Sequence, residues 1–223
     1  MSTQSVSFLP ERPCCKFMTK NLIFDFGGVL ICYDFPSIVK PLFADDAERR
    51  AFEEVVCSDS FMDRCDLGEE PFAEIIRKHQ ELYPQWKRQL QEFRDRQLDA
   101  MTGEMPGMRD LLARLKADGY RIYGLTNWSE TIYPVIEKFD ILQMMDGTLI
   151  SSEEKLLKPD AAIYRRLCEK FGLKPQECLF TDDRQVNVDG ALAVGMQAVL
   201  FTNAAEYEKN LISLQRLGKP LHL

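Results

Sequence analysis

From residue 108 onward the chain alternates without interruption between helical and strand periodicity, and that alternation constrains the fold more than any other feature of the sequence. Residues 108–118 carry apolar side chains at Met108, Leu111, Leu112 and Leu115, the spacing of one helix face, and stop at Gly119. Residues 120–125 then predict a strand that ends in Thr126-Asn127. Helical periodicity returns over 129–139, an extended segment over 148–150, and a second helix over 160–171. Residues 177–181 predict a strand running into Asp182-Asp183, 186–194 a helix ended by Gly195, and 197–201 a last strand before a C-terminal helix. Such alternation is the pattern of an α/β fold with a doubly wound parallel sheet. An earlier apolar run, 22–26, is broken at Gly27-Gly28 and leaves Asp25 at a strand's C-terminal end. Open parallel sheets bind ligands just outside those ends, so Asp25 stands where chemistry is expected.

Residues 35–102 break the alternation. They show helical periodicity at 47–56, 71–79 and 84–101 and no strand pattern, with Asp66-Leu67-Gly68 reading as a turn, and they are far longer than a crossover requires. The expected division is a disordered tail over 1–20, a core made of 21–34 and 103–223, and an inserted helical domain over 35–102. Met18 is an alternative start. Several function classes drop out on composition. No apolar run approaches the ~18 residues of a membrane span. The net charge of -7 argues against nucleic-acid binding. Seven cysteines without a C-x-x-C pair, and only two histidines, His79 and His222, argue against zinc and for reduced thiols in a cytoplasmic protein. Residues 1–20 lack the pattern of a secretory signal.

Four polar clusters fall at expected strand ends or in the loops that follow: Asp25, Thr126-Asn127, Lys158 and Asp182-Asp183. Singly, each reads as a turn former, a helix cap or a solvated loop residue. Together they form a set that chemistry can use. A carboxylate nucleophile approaches an anionic phosphoryl group only if a cation and a metal offset the charge, and this set supplies a lysine and further carboxylates to hold a metal.

The segments Leu22-Ile23-Phe24-Asp25-Phe26-Gly27-Gly28-Val29, Gly124-Leu125-Thr126-Asn127, Lys158-Pro159-Asp160 and Phe180-Thr181-Asp182-Asp183 resemble, in that order, the four motifs of the haloacid dehalogenase superfamily. The resemblance runs from about residue 21 to the end. It implies a Rossmann-like core with a type-one helical cap inserted after the first motif. It also implies a magnesium-dependent phosphatase of a small phosphorylated metabolite, working through an aspartyl-phosphate. By the same resemblance Asp25 is the nucleophile, Thr126 and Asn127 bind oxygens of the transferred group, and Lys158 neutralises nucleophile and phosphoryl. Mg²⁺ would be held by Asp25, the main-chain carbonyl of Gly27 and Asp183, with Asp182 direct or through water.

One position departs from the pattern. Most phosphatases of the family carry a second Asp two residues after the nucleophile, where this chain has Gly27, and general acid–base help is worth ~10²–10⁴-fold. Three readings follow. The D-x-G-[GN]-V form resembles sugar-phosphate phosphatases and brings in Asp34 as an acid/base residue or as a polar residue before the Phe35-Pro36 turn. A 2-haloacid dehalogenase needs no proton for its halide, but a retained Asp182-Asp183 pair implies a retained cation. A weakened phosphate-binding or scaffolding protein is the third. Phe61, Met62, Arg64, Trp86 and Trp128 are candidates to face the site, with packing preferred for the apolar ones and solvation for Arg64.

Overall fold

A strand with both faces covered cannot alternate polar and apolar residues, and Asn21–Phe24 is buried at every position. In the computed structural model, which describes residues 19–217 with side chains to 213, this strand lies at the centre of the sheet. Cys14, Cys15, Met18 and His222 lie outside the described residues, as do residues 1–18 of the tail expected over 1–20. Lys20 already bonds into the sheet, its N–H donating to the Glu177 carbonyl at 2.9 Å.

The elements in chain order are β1 (Asn21–Phe24), β2 (Ile31–Tyr33), α1 (Phe35–Val39), α2 (Asp46–Val56), α3 (Asp59–Leu67), α4 (Phe72–Leu82), α5 (Lys87–Asp95), β3 (Met101–Glu104), α6 (Met108–Ala117), β4 (Arg121–Thr126), α7 (Ile132–Lys138), β5 (Gly147–Ile150), α8 (Ser151–Glu154), α9 (Ala161–Phe171), β6 (Cys178–Asp182), α10 (Gln185–Ala193), β7 (Gln197–Leu200) and α11 (Ala204–Leu217). Five strands form one parallel sheet in the order β5-β4-β1-β6-β7. The doubly wound sheet expected from the alternation is therefore present. Side-chain alternation sends Leu22 and Phe24 to one face and Ile23 to the other. Buried residues of α6, α7 and α11 cover the first face, and those of α9 and α10 the second. From β1 the chain winds outward to β5 and then returns to β6 on the other side. The carboxyl ends of β1, β4 and β6 thus meet at the reversal of winding, where an open sheet leaves a crevice.

Residues 35–100 are helical, but the segment leaves and re-enters the core through a two-stranded antiparallel ribbon, β2 with β3, pairing Ile31 with Glu104 and Cys32 with Gly103. This corrects two expectations. The helix expected over 84–101 ends as α5 at Asp95, and after a 3₁₀ turn Met101 and Thr102 belong to a strand. Thr102 and Gly103 are poor helix formers, and pairing with β2 supplies the hydrogen bonds a longer helix would have made. The turn expected at Asp66-Leu67-Gly68 is the end of α3, which Ser58 caps through its hydroxyl and which Gly68 stops with φ at 66°. The helices pack on an aromatic nucleus in which the Phe52 ring meets Phe43 at 5.1 Å, Trp86 at 5.6 Å and Phe93 at 6.2 Å.

Candidate active site

Asp25 follows β1 directly, and its N–H continues the sheet by donating to the Thr181 carbonyl at 2.9 Å. Its carboxylate is therefore fixed by main-chain pairing. Lys158 reaches it from the loop before α9, with Nζ 2.9 Å from Asp25 Oδ1 and 2.7 Å from Asp182 Oδ2. The lysine side chain is 1% exposed and Asp182 is fully buried. Three charges without water would be costly if unpaired, and here one cation serves two anions.

The two carboxylates on Lys158 differ in what else they touch. Asp182 Oδ1 also accepts from the Arg184 N–H and from Asn187 Nδ2, both at 2.9 Å. Burial opposes its charge, but Lys158 and these donors outweigh it and hold the Asp182 pKa below the ordinary carboxylate value. Asp25 has fewer donors, chiefly Lys158 and the Phe26 N–H at 2.7 Å. Burial, helped by the Asp182 charge, pushes Asp25 up to about 7. For Lys158, burial works against the ammonium, yet Asp25 and Asp182 hold its pKa above the usual range. Burial and Asp182 raise Asp183, which stands exposed at the rim.

Asn127 and Lys158 are locked together. Asn127 Nδ2 donates to the Lys158 carbonyl, and the Lys158 N–H donates to Asn127 Oδ1, each at 2.9 Å. The Asn127 amide is thus engaged at both ends. It positions Lys158. Thr126, 1% exposed, lines the cavity beside Asp25.

Metal-binding capacity is present in the donor set. Asp25, Asp182 and Asp183 each offer a carboxylate oxygen within 4.8 Å of the others, a hard-oxygen cluster that suits magnesium, and no cysteine takes part. Gly28, at φ 73°, packs against the Asp183 carboxylate so closely that a Cβ there would overlap it. The loop is therefore shaped to admit that carboxylate. Gly27 is different: it does not have positive φ, and a Cβ would stand 3.5 Å from the Tyr33 ring and 3.9 Å from Trp128, ordinary contact.

Above these groups lies a cavity of about 300 Å³, lined by Asp25, Gly27, Thr126, Asn127, Lys158 and Asp183 below and by the inserted segment opposite. Asp34 is not part of it. Exposed at the start of α1, Asp34 caps that helix by accepting from the Ser37 N–H at 3.2 Å. Asp66, which sequence reasoning took for a turn residue, does line the cavity from the end of α3. Burial, with the neighbouring Asp63 charge, pushes its pKa up to about 7 against the Ser129 N–H that favours the ionised form. Its position within a helix is the signal that was missing. Of the five residues weighed for the cavity wall, Met62 and Trp128 line it. Phe61 instead packs edge-on against His79 at 4.8 Å, Trp86 stacks on Tyr83 at 5.3 Å, and Arg64 pairs with Glu70 at 2.9 Å.

The model of the haloacid dehalogenase-like hydrolases matches residues 19–195. A flavin mononucleotide hydrolase of Arabidopsis thaliana is 32% identical over 110 residues, 49% of this chain and 45% of that protein. A phosphoglycolate phosphatase of Nitrosospira multiformis is 27% identical over 131 residues, 58% and 55% of the two chains. This chain thus matches about half the length of these curated relatives. A haloacid dehalogenase family enzyme of Bacteroides thetaiotaomicron has the same fold, with a TM-score of 0.70 at 22% identity over 87% of this chain and 98% of that one. Among the described residues no helix is long and apolar enough to cross a membrane.

Proposed function

The chain belongs to the haloacid dehalogenase-like hydrolases, and from that premise we propose that it is a magnesium-dependent phosphatase whose Asp25 carries the phosphoryl group as an aspartyl-phosphate. The observation that supports this most is the buried Asp25–Lys158–Asp182 arrangement with Asp183 beside it, which joins a nucleophile, a cation and a carboxylate cluster at one sheet edge. A dehalogenase has no use for the cluster.

Asp25, Asp183 and the Gly27 carbonyl would hold Mg²⁺, with Asp182 behind them because its oxygens already accept three hydrogen bonds. The ion supplies charge to offset phosphate and carboxylate in the transition state. The chain's own groups do the rest. Asp25 attacks phosphorus, the ester P–O bond breaks, and its electron pair stays on the leaving oxygen. That oxygen needs a proton. Residue 27 has none to give and Asp34 is turned to the α1 cap, so the donor is Asp66, which shares the cavity and is held near neutrality. Asp66 then takes a proton from the water that attacks the aspartyl-phosphate; the P–O bond to Asp25 breaks, its pair returns to the carboxylate, and inorganic phosphate leaves. Lys158 meets the charge on Asp25 throughout.

The direct test is acid quench of the protein mixed with a ³²P-labelled ester in Mg²⁺. Label should remain on the chain, at Asp25, and both label and turnover should vanish with chelator. Chloride release from 2-chloropropionate that survives chelation would overturn the reading in favour of dehalogenation.

A further inference from the structure

We propose that the site takes monoesters whose alcohol is apolar, of alkyl, prenyl or arylalkyl type, in preference to esters of sugars or of carboxylate-bearing alcohols; this rests on the phosphatase reading above. The division of the cavity lining carries it. Away from the charged floor the wall carries Phe35, Met62, Phe72, Phe93, Met101 and Trp128, and of its polar members Gln97 donates to the Phe93 carbonyl while the Ser129 and Thr131 hydroxyls bond each other. The rings form a chain, Tyr33 to Phe35 at 5.8 Å, Phe35 to Phe93 at 6.2 Å and Phe93 to Phe72 at 6.3 Å. Even the indole N–H of Trp128 is spoken for, with Nε1 3.3 Å from Thr131 Oγ1. Across from the α3 acids, what the wall offers an occupant is mainly apolar surface.

The charges exclude the competing classes. Two cations line the cavity. Lys158 is committed to Asp25 and Asp182, and the exposed Arg184 reaches toward Asp59 at 3.5 Å. Against them α3 adds Asp59, Asp63 and Asp66 to the lining. A substrate with a second anionic group, such as phosphoglycolate, would bring its carboxylate to a wall of rings and acids. A sugar would find acceptors in Asp59, Asp63 and Asp66 on one side only and rings on the other, and each hydroxyl left unsatisfied there costs on the order of tenfold in affinity. At about 300 Å³ the cavity is at the small end of ligand sites, which suits a short chain or one ring beside the phosphoryl group.

Binding tests this without turnover. In Mg²⁺, the dissociation constants of n-alkylphosphonates from ethyl to octyl, measured calorimetrically, should fall about three- to fourfold per methylene until the cavity is full. Phosphonoacetate should bind at least ~10-fold more weakly than propylphosphonate. Met62→Lys, which puts a cation on the half-buried wall, should weaken octylphosphonate and tighten phosphonoacetate. A flat alkyl series, or phosphonoacetate as the tighter ligand of the unmodified protein, overturns the inference. Magnesium-dependent hydrolysis of p-nitrophenyl phosphate, run in parallel, separates the two readings. Hydrolysis with a flat series removes the apolar preference alone, whereas a graded series without hydrolysis upholds the apolar site and removes the phosphatase.

Discussion

At the floor of the cavity Asp25, Lys158 and Asp182 are charged and still buried, whereas across the gap the inserted segment is buried because it is apolar. Most floor residues come from strand ends of a rigid parallel sheet, with Lys158 from the loop before α9, and the buried charges of Asp25, Lys158 and Asp182 are each met by a partner within 3 Å. Roof residues come from helices and loops whose contacts are ring against ring, at 5.8–6.3 Å between centroids. The difference teaches where each kind of specificity is stored. The floor accepts a desolvation cost to hold one geometry for a reaction, while the roof gains from burial and can be altered residue by residue to suit a different alcohol. Floor substitutions should therefore strike kcat across all esters, and roof substitutions should redistribute kcat/KM among them.

Asp25→Asn is the strongest way to break that contrast. It should lower kcat on every phosphate ester by at least ~10³-fold, because the amide cannot form the acyl phosphate. Stability should hold or rise, since burial disfavours the Asp25 charge and the amide removes it. Retained turnover with unchanged Mg²⁺ dependence would end the assignment, and thermal melting in the same buffer checks the stability half.

Next in size is Lys158→Met, expected to cost ~10²–10³-fold in kcat/KM irrespective of the leaving group. It leaves Asp25 and Asp182 facing each other without a cation. The melting temperature should therefore drop at pH 8 and recover in part toward pH 5, where protonation relieves the unpaired charge. A substrate-dependent loss would move Lys158 from the floor's shared machinery to recognition of one ester.

Asp66→Asn sits on the roof and should act unlike other roof changes. In kcat/KM, which reports the transfer of the phosphoryl group to Asp25, it should cost ~10²-fold on an alkyl phosphate, whose alkoxide leaves poorly, and almost nothing on p-nitrophenyl phosphate, while kcat, which includes the shared attack of water, falls on both. The pH dependence gives the sign. Burial raises Asp66 to about 7, so the donor is protonated below that pH, and alkyl-ester kcat/KM should fall as pH rises through it. In the variant that limb should flatten. Equal losses of kcat/KM on both esters would make Asp66 a packing residue.

The floor's strand-end residues were legible in the sequence because each follows an apolar run, and strand ends of a parallel sheet converge whatever lies between them. Asp25, Thr126 and the Asp182-Asp183 pair needed only that rule. The work of Asn127 was not legible, because its amide is consumed by a loop 31 residues away, and no local pattern reports such a bond. The ribbon of β2 and β3 was missed for the same reason: Cys32 pairs with Gly103, and the gain from that pairing is tertiary. On the roof, adjacent apolar residues of α3 point apart, Phe61 into the helical nucleus against His79 and Met62 into the cavity. Composition cannot separate them; only the packing of α3 does.

The smallest expected effects come from two neighbouring glycines that separate floor from roof within a single loop. Gly27→Ala adds a methyl at ordinary contact with Tyr33 and Trp128 and needs no change of backbone, so activity should stay within about twofold and stability should rise slightly. Gly28→Ala meets two obstacles at once. Its φ of 73° costs a side chain about 1–2 kcal/mol, and the new Cβ overlaps the Asp183 carboxylate. If Asp183 holds magnesium, displacing it should raise the Mg²⁺ concentration for half-maximal hydrolysis by ~10–100-fold, while saturating metal restores part of the rate. The pair therefore distinguishes strain from metal loss. Strain alone would lower the melting temperature of Gly28→Ala and leave its Mg²⁺ titration superimposable on that of Gly27→Ala. A titration shifted in Gly28→Ala alone means that the loop's one sterically required glycine is required by the carboxylate beside it.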